Sequence, residues 1–131
     1  MKIYWDSSAL VAATMERRLR DRLTGEGGVT RAHSLTEVFS TLTGSRLGFR
    51  VDAADAALVV RELAECVDLV EVSSSDVLQA LDEARSLGVR GGRVHDYLHA
   101  VAARLAECTT LLTLNTGDFD GLGGNLNIEE P

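Results

Sequence analysis

Four carboxylates stand where segments of predicted regular structure begin or end, and side chains of this type can hold a divalent metal ion. Asp6 follows the apolar run M-K-I-Y-W, and Asp118 follows a β-branched run and the turn residues N-T-G. Glu37 and Asp96 each lie near the start of an apolar helical pattern. Carboxylates gathered in one place raise one another's pKa unless a cation is present. Magnesium and manganese prefer such oxygen ligands, so the pattern indicates a divalent metal site.

Each of these acids also has an ordinary structural explanation. Asp6 could favour the positive end of a helix, and Glu37 completes the capping-box pattern S-x-x-E that begins at Ser34. Asp96 could be an N-cap or a first-turn acid, and Asp118 could be a turn residue. If the fold brings all four acids to one place, four separate structural roles become a less convincing explanation than a shared site.

Short apolar and β-branched runs alternate along the chain with longer helical patterns. The predicted strands cover residues 1–5, 29–32, 69–72, 109–114 and 125–129. The first predicted helix begins at Ser7 and continues through E-R-R-L-R-D-R-L until Gly25, Gly27 and Gly28 stop it. Further helices are predicted from Ser34, after Asp52, after residues 73–75 and from Arg93.

This alternation predicts a three-layer α/β/α fold, with a central, mainly parallel sheet of about four or five strands. Residues 1–131 are long enough for a core and are expected to form a single domain. In such sheets, ligands bind beyond the carboxyl ends of the strands, at the switch point in strand order. Asp6 and Asp118 both follow strands, so they are expected at that edge. Helix starts face the same edge, which brings Glu37 and Asp96 there as well.

The composition limits the class of protein. The net charge is −7, and Lys2 is the only lysine, which argues against binding of nucleic acid by a generally basic surface. The chain has no apolar run long enough for a membrane span and nothing that resembles a signal peptide, so a cytoplasmic protein without membrane contact is expected. Cys66 and Cys108 are far apart and are expected to be reduced core thiols.

At the level of motifs the chain resembles the PIN-domain nucleases, and its compact length resembles their VapC-type toxins of type II toxin–antitoxin systems. The motifs are D-S-S-A-L, H-S-L-T-E-V, H-D-Y-L-H-A-V-A-A and T-L-N-T-G-D-F, and the resemblance spans residues 3–119. It implies that the acids bind Mg²⁺ or Mn²⁺ and carry catalysis, and that two polar residues support them. The implied acids are Asp6, Glu37, Asp96 and Asp118, with Ser7 and Asn115 in the supporting positions.

The resemblance also implies an activity and partners. The protein would be an endoribonuclease that cuts tRNA or rRNA to inhibit translation, would be neutralised by a cognate VapB-type antitoxin, and would form a homodimer. A water activated by the metal would attack phosphorus in line and leave 5′-phosphate and 3′-hydroxyl ends. Asp6 and Asp96 would be the principal metal ligands, and Glu37 and Asp118 would complete the site directly or through water.

Three other interpretations stay open from the residues alone. The first is a PIN-like module that binds RNA or protein without cutting it. The second is a metal-free ribonuclease that uses His33, His95 or His99 as acid and base and leaves 2′,3′-cyclic phosphates. The third concerns His95 and His99, whose i, i+4 spacing could chelate a metal, although a partly exposed pair beside Asp96 is the favoured interpretation.

Overall fold

Five short strands form one sheet in which every neighbouring pair is parallel. The computed structural model describes residues 2–131, so Met1, the first residue of the predicted strand 1–5, lies outside it. The strands are β1 (Ile3–Trp5), β2 (Val29–Arg31), β3 (Asp68–Val70), β4 (Thr110–Leu112) and β5 (Asn127–Glu129), in the spatial order β3-β2-β1-β4-β5. The helices are α1 (Ser7–Met15), α2 (Arg17–Glu26), α3 (Ala32–Thr43), α4 (Ala53–Cys66), α5 (Ser74–Glu83) and α6 (Arg93–Leu105).

Helices cover both faces of the sheet, which confirms the predicted three-layer α/β/α fold. Successive residues of a strand point to opposite faces, so β1 contributes to two cores. Ile3 and Trp5 pack with apolar side chains of α1 to α4, whereas Tyr4 packs with small residues of α6. A third cluster joins α5 to α6 through Ala80 and Tyr97.

The strand order places a switch point next to β1. From β1 the chain continues to β2 and β3 on one side, and it then crosses back to β4 and β5 on the other side. Trp5 at the end of β1 lies opposite Leu112 at the end of β4. The segments that follow these two strands therefore leave the sheet side by side, at the position where α/β proteins bind their ligands.

The long first helix predicted from the sequence is wrong, because the chain breaks at Glu16. This residue has φ −115° and ψ 120°, and it separates α1 from α2. The apolar helix α1 is buried along much of its length, so a straight continuation would carry the Arg-rich segment away from the core. The break instead returns Leu19 and Leu23 to the core, where they are 2% and 1% exposed.

The third helix begins two residues earlier than predicted, and this removes the predicted capping box. α3 starts at Ala32, directly after β2, and Arg31 occupies the N-cap position without a side-chain cap. Ser34 is therefore inside the helix and fully buried, and Glu37 lies in the second turn instead of the first. The predicted caps of the next two helices are confirmed: Asp52 caps α4, and Ser73 forms a capping box with Asp76 in α5.

The remaining predictions differ from the structure mainly in length. The predicted strands 69–72, 109–114 and 125–129 correspond to the shorter β3, β4 and β5.

Both cysteines are free thiols: Cys108 is buried, and Cys66 is half-buried at the end of α4. Within residues 2–131, no helix has both the length and the apolar character that a membrane crossing requires.

Candidate functional site

Asp6 is fixed at the carboxyl end of β1. It is 4% exposed, and its Oδ1 accepts hydrogen bonds from the Ala9 backbone N–H at 2.9 Å and from the Ser8 hydroxyl at 2.6 Å. Asp6 is therefore the N-cap of α1. Within residues 2–131, Oδ2 accepts no hydrogen bond. One oxygen of the carboxylate thus holds the helix, and the other is available to a ligand.

Ser8 and Thr113 attach the loop after β4 to Asp6. The Leu114 backbone N–H donates to the Ser8 hydroxyl at 2.9 Å, and the Ser8 and Thr113 hydroxyls lie 3.3 Å apart. The Thr113 hydroxyl in turn accepts from the backbone N–H of Asn115 at 3.1 Å. The sequence motif pointed to Ser7, but Ser8 is the hydroxyl that contacts Asp6. Ser7 is half-buried and lines a groove that also contains Glu37.

A short 3-10 turn presents Asp118 at the same edge. The turn spans Thr116–Phe119, and Phe119 anchors it in the core at 2% exposure. The Asp118 backbone N–H donates to the Asn115 carbonyl at 3.0 Å. The side chains of Asn115 and Asp118 are exposed. Both polar residues of the fourth motif are therefore accessible from solvent.

The pKa of Asp96 is affected by the charges of the other three carboxylates. It lies in the first turn of α6 and is half-buried. Burial raises the pKa of the Asp96 carboxyl above its ordinary value, and the negative charges of three other acids raise it further, against a smaller opposing effect of His99. These acids, in decreasing order of effect, are Asp118, Asp6 and Glu37. The structure thus brings all four predicted acids into one electrostatic neighbourhood, and Asp118 is the strongest partner of Asp96.

Glu37 differs from Asp96 because protein groups compensate its charge. Its Oε1 lies 3.1 Å from Nε2 of His99 and 3.6 Å from the Arg31 guanidinium. Burial alone would raise the pKa of Glu37, but His99 and Arg31 outweigh burial and the pKa is lowered. Nε2 of His99 is close to Oε1 of Glu37, but the geometry is not that of an ideal hydrogen bond.

His99 is a buried residue, so the predicted, partly exposed pair of His95 and His99 is wrong. His99 is 2% exposed, and its Nδ1 lies 2.8 Å from the Tyr4 hydroxyl. Both ring nitrogens of His99 are therefore engaged, one by Tyr4 and one by Glu37. His95 is exposed and stacks with His33, with ring centroids 6.4 Å apart. The two histidines of the i, i+4 pair thus have different surroundings and do not form a chelating face.

Four residues of this neighbourhood were not identified from the sequence as parts of the site: Tyr4, Ser8, Arg31 and Thr113. Arg31 could have been found, because it lies near the end of the predicted strand 29–32, at the same edge as Asp6. His99 was a candidate from the sequence as an acid, a base or a chelating residue, but its contact with Glu37 was not predicted. The roles of Ser8 and Thr113 depend on how two separate loops meet, which no local pattern shows.

The donors present are oxygen atoms of carboxylates, which suit magnesium or manganese better than zinc. Among residues 2–131, no three His, Cys, Asp or Glu side chains are gathered closely enough to hold one ion as they stand. Magnesium keeps several waters and is commonly held by one or two carboxylates together with substrate phosphates. Asp96 with Asp118 or Asp6 fits that mode of binding.

No protein-family model matches the chain, and no curated protein matches it. A function must therefore be inferred from the residues at the carboxyl edge of the sheet and from their geometry.

Proposed function

We propose that this protein is a Mg²⁺- or Mn²⁺-dependent endoribonuclease of the PIN-domain type, similar to VapC toxins. One observation supports the proposal above others. Asp96 lies within electrostatic range of three other carboxylates, which come from three separate segments, at the switch point of a parallel sheet. Ionised carboxylates that lie close together without a cation repel one another and destabilise the fold. Binding of a cation would offset this repulsion.

Each acid has its own part in the proposed reaction. A bound divalent ion would lower the pKa of a water molecule and offset the charge that develops on the phosphodiester. Asp96 and Asp118 would hold this ion, because Asp118 is the acid that raises the pKa of Asp96 most. Asp6 would contribute Oδ2, the oxygen that holds no helix. Glu37 would complete the site through water and is kept ionised by Arg31 and His99.

Two other residues would act on the substrate side of the edge. Asn115 is exposed next to Asp118, and its amide would donate to a phosphate oxygen. Ser7 lines the groove beside Glu37 and would contact the RNA backbone. Attack by water in line with the leaving oxygen would give 5′-phosphate and 3′-hydroxyl ends.

The resemblance to VapC toxins extends the proposal to a biological setting. The RNA substrate would be tRNA or rRNA in the cytoplasm, and its cleavage would inhibit translation. A cognate VapB-type antitoxin would neutralise the protein, and the active form would be a homodimer. Purification of the chain together with the product of an adjacent reading frame, followed by measurement of the mass of the complex, tests this part of the proposal.

Cleavage of total tRNA and rRNA by the purified protein is the direct test. Wild-type protein with Mg²⁺ or Mn²⁺ is expected to cut RNA, and EDTA is expected to stop it. Asp96→Asn keeps the shape of the side chain and removes its charge, so the rate should fall by about 100-fold or more. Asp68→Asn is the matched control, because Asp68 is exposed and begins β3. It therefore lies at the amino ends of the strands, away from the four acids. It should cut at the wild-type rate.

Two results would overturn the metal mechanism. Cleavage that survives EDTA and Asp96→Asn would exclude it, and 2′,3′-cyclic phosphate ends would point to the exposed histidines His33 and His95 instead. Equal losses in Asp96→Asn and Asp68→Asn would show that the effect is not specific to the acidic edge.

The second candidate function is an RNA- or protein-binding module without catalysis. It is favoured by Glu37, which is already paired with Arg31 and His99. A protein that shifts RNA in a gel and never shortens it, even with Mn²⁺, would support this function.

A further inference from the structure

A pocket of about 390 Å³ lies beside the acidic edge, at the carboxyl ends of β2 and β3. Its walls are mostly aliphatic and come from Val70, Val72, Val77 and Leu98. A concave, mainly apolar site with a few polar groups is the usual form of a site for a small organic ligand. Glu71 is the one carboxylate in its lining, and none of the four clustered acids lines it, so it is distinct from the candidate metal site.

Arg31 supplies a buried donor to this pocket that has no protein partner. The residue is 7% exposed and lines the pocket. Its Nη2 is engaged by the His95 carbonyl at 3.4 Å and by Glu37 at 3.6 Å. Its Nε is buried and has no hydrogen-bond partner within residues 2–131. A buried guanidinium N–H without an acceptor is costly, so a small movement of the Arg31 side chain that brings its guanidinium to an acceptor on a ligand would be favourable.

Two aromatic rings stand at the same pocket. His33 from α3 and His95 from α6 both line it and are both exposed. Their rings are nearly parallel, with an interplanar angle of 16° and centroids 6.4 Å apart. Parallel, accessible rings form a platform on which a further flat ring can stack. Unpaired RNA bases stack on aromatic side chains, including histidine.

We propose that this pocket binds one nucleobase of a single-stranded RNA. The base stacks on His33 and His95, and a ring nitrogen or carbonyl oxygen of the base accepts a hydrogen bond from the Arg31 guanidinium. The aliphatic walls cover the rest of the ring. Arg31 lines the pocket and lies 3.6 Å from Glu37, so the nucleotide in the pocket adjoins the acidic edge. This inference rests on the proposed function, because it takes RNA as the ligand.

The test is a titration of wild-type protein with nucleotides, followed by NMR of the histidine ring protons. The probes are AMP, GMP, CMP and UMP, and ribose 5-phosphate is the matched probe without a base. At least one nucleotide should move the ring signals of His33 and His95 upfield in a saturable way, because a stacked base shields them. Ribose 5-phosphate should not do so. The buried ring of His99 is the internal reference.

Two substitutions at one exposed position separate stacking from charge. His95→Ala should weaken nucleotide binding about tenfold, whereas His95→Phe, which keeps a flat ring, should stay within about twofold of wild type. Equal weakening by both substitutions would overturn the stacking role. Equal responses to ribose 5-phosphate and to the nucleotides would show that the pocket binds phosphate. The absence of any response at His33 and His95 would exclude the site.

The titration needs no cleavage, so its failure is distinguishable from failure of the proposed function. A protein that cuts RNA with metal and shows no base-dependent shift remains a nuclease and lacks this pocket function. A protein that binds nucleotides at His33 and His95 and cuts no RNA has the pocket without the nuclease.

Discussion

Asp96 and Glu37 have the same functional group and opposite electrostatic environments. Burial and three acidic neighbours raise the pKa of Asp96, and compensation by His99 and Arg31 lowers the pKa of Glu37. A site that holds a cation needs at least one carboxylate whose charge the protein leaves uncompensated. Asp96 meets that condition and Glu37 does not, so the two acids are expected to have different roles.

This contrast predicts opposite effects on stability from the same chemical change. In protein without divalent metal at pH 7, Asp96→Asn should raise the free energy of unfolding by about 0.5 kcal/mol, because it removes repulsion that is partly screened by solvent. Glu37→Gln should lower it by about 1–2 kcal/mol, because Arg31 loses its partner in a buried setting. Urea denaturation of both variants and wild type measures the two differences. Two changes of the same sign would contradict the contrast.

The pH dependence of these differences follows from the direction of each pKa shift. Asp96 is a carboxyl with a raised pKa, so the folded state binds more protons than the unfolded state once the pH exceeds about 3.8. Ionisation of Asp96 therefore lowers the free energy of unfolding more and more as the pH rises, until the raised pKa is passed. The gain in stability from Asp96→Asn should vanish at low pH, where the carboxyl is protonated in both states. The lowered pKa of Glu37 gives stability that is present above pH 4.5 and lost as the pH falls through the folded-state value.

At the residue scale, the sequence located the acids better than it described their surroundings. Asp6 and Asp118 follow readable strands, and their positions at one edge follow from parallel topology alone. The capping box assigned to Glu37 was wrong, because the partners of Glu37 come from β2 and α6, which are distant in sequence. Contacts between distant segments leave no periodic signal in either one.

At the element scale, the turn between α2 and β2 depends on a close approach of backbone to Trp5. A Cβ atom on Gly28 would lie 2.5 Å from Cδ1 of Trp5 and 3.2 Å from the carbonyl oxygen of Ile3. Trp5 is fully buried and the second atom is backbone, so neither can move freely. β1 carries Asp6 at its end, and the position of that carboxylate therefore depends on this contact.

Gly28→Ala is expected to lower the free energy of unfolding by about 1–3 kcal/mol through overpacking. Gly25→Ala is the matched control, because Gly25 lies in α2 with open space around its Cβ position. That change should raise stability by about 0.5–1 kcal/mol, since alanine loses less conformational freedom in a helix. Thermal unfolding of the two variants measures the difference. Equal stability of Gly28→Ala and wild type would show that β1 shifts without cost.

Elements were predictable in kind and order, and less so at their boundaries. Every predicted strand is present, because short β-branched runs between helical patterns are a strong local signal. The break at Glu16 was not predicted, since the helical pattern continues through it in sequence. The break is explained by tertiary packing, because it allows Leu19 and Leu23 to be buried in the core.

At the scale of the whole molecule, strand order explains why the acids meet. The crossover from β3 to β4 brings the segment after β4 next to the segment after β1. Asp6 and the loop of Asn115 and Asp118 are thus neighbours although they are more than a hundred residues apart. The parallel sheet and its helix layers could be predicted from the alternation of elements. The groups that surround the acids required the three-dimensional structure.

The charge of the whole molecule predicts how RNA binding should respond to salt. With a net charge of −7, the protein repels RNA over most of its surface, so few phosphates are expected to be contacted. Two or three contacts to single-stranded RNA give a slope of about −1 to −2 for log affinity against log salt concentration. Binding of a tRNA fragment to Asp96→Asn, measured by fluorescence anisotropy over a series of KCl concentrations at fixed Mg²⁺, gives this slope. A slope of about −5 or steeper would indicate an extended basic surface, which the composition does not provide, and binding would then not be confined to the acidic edge and the neighbouring pocket.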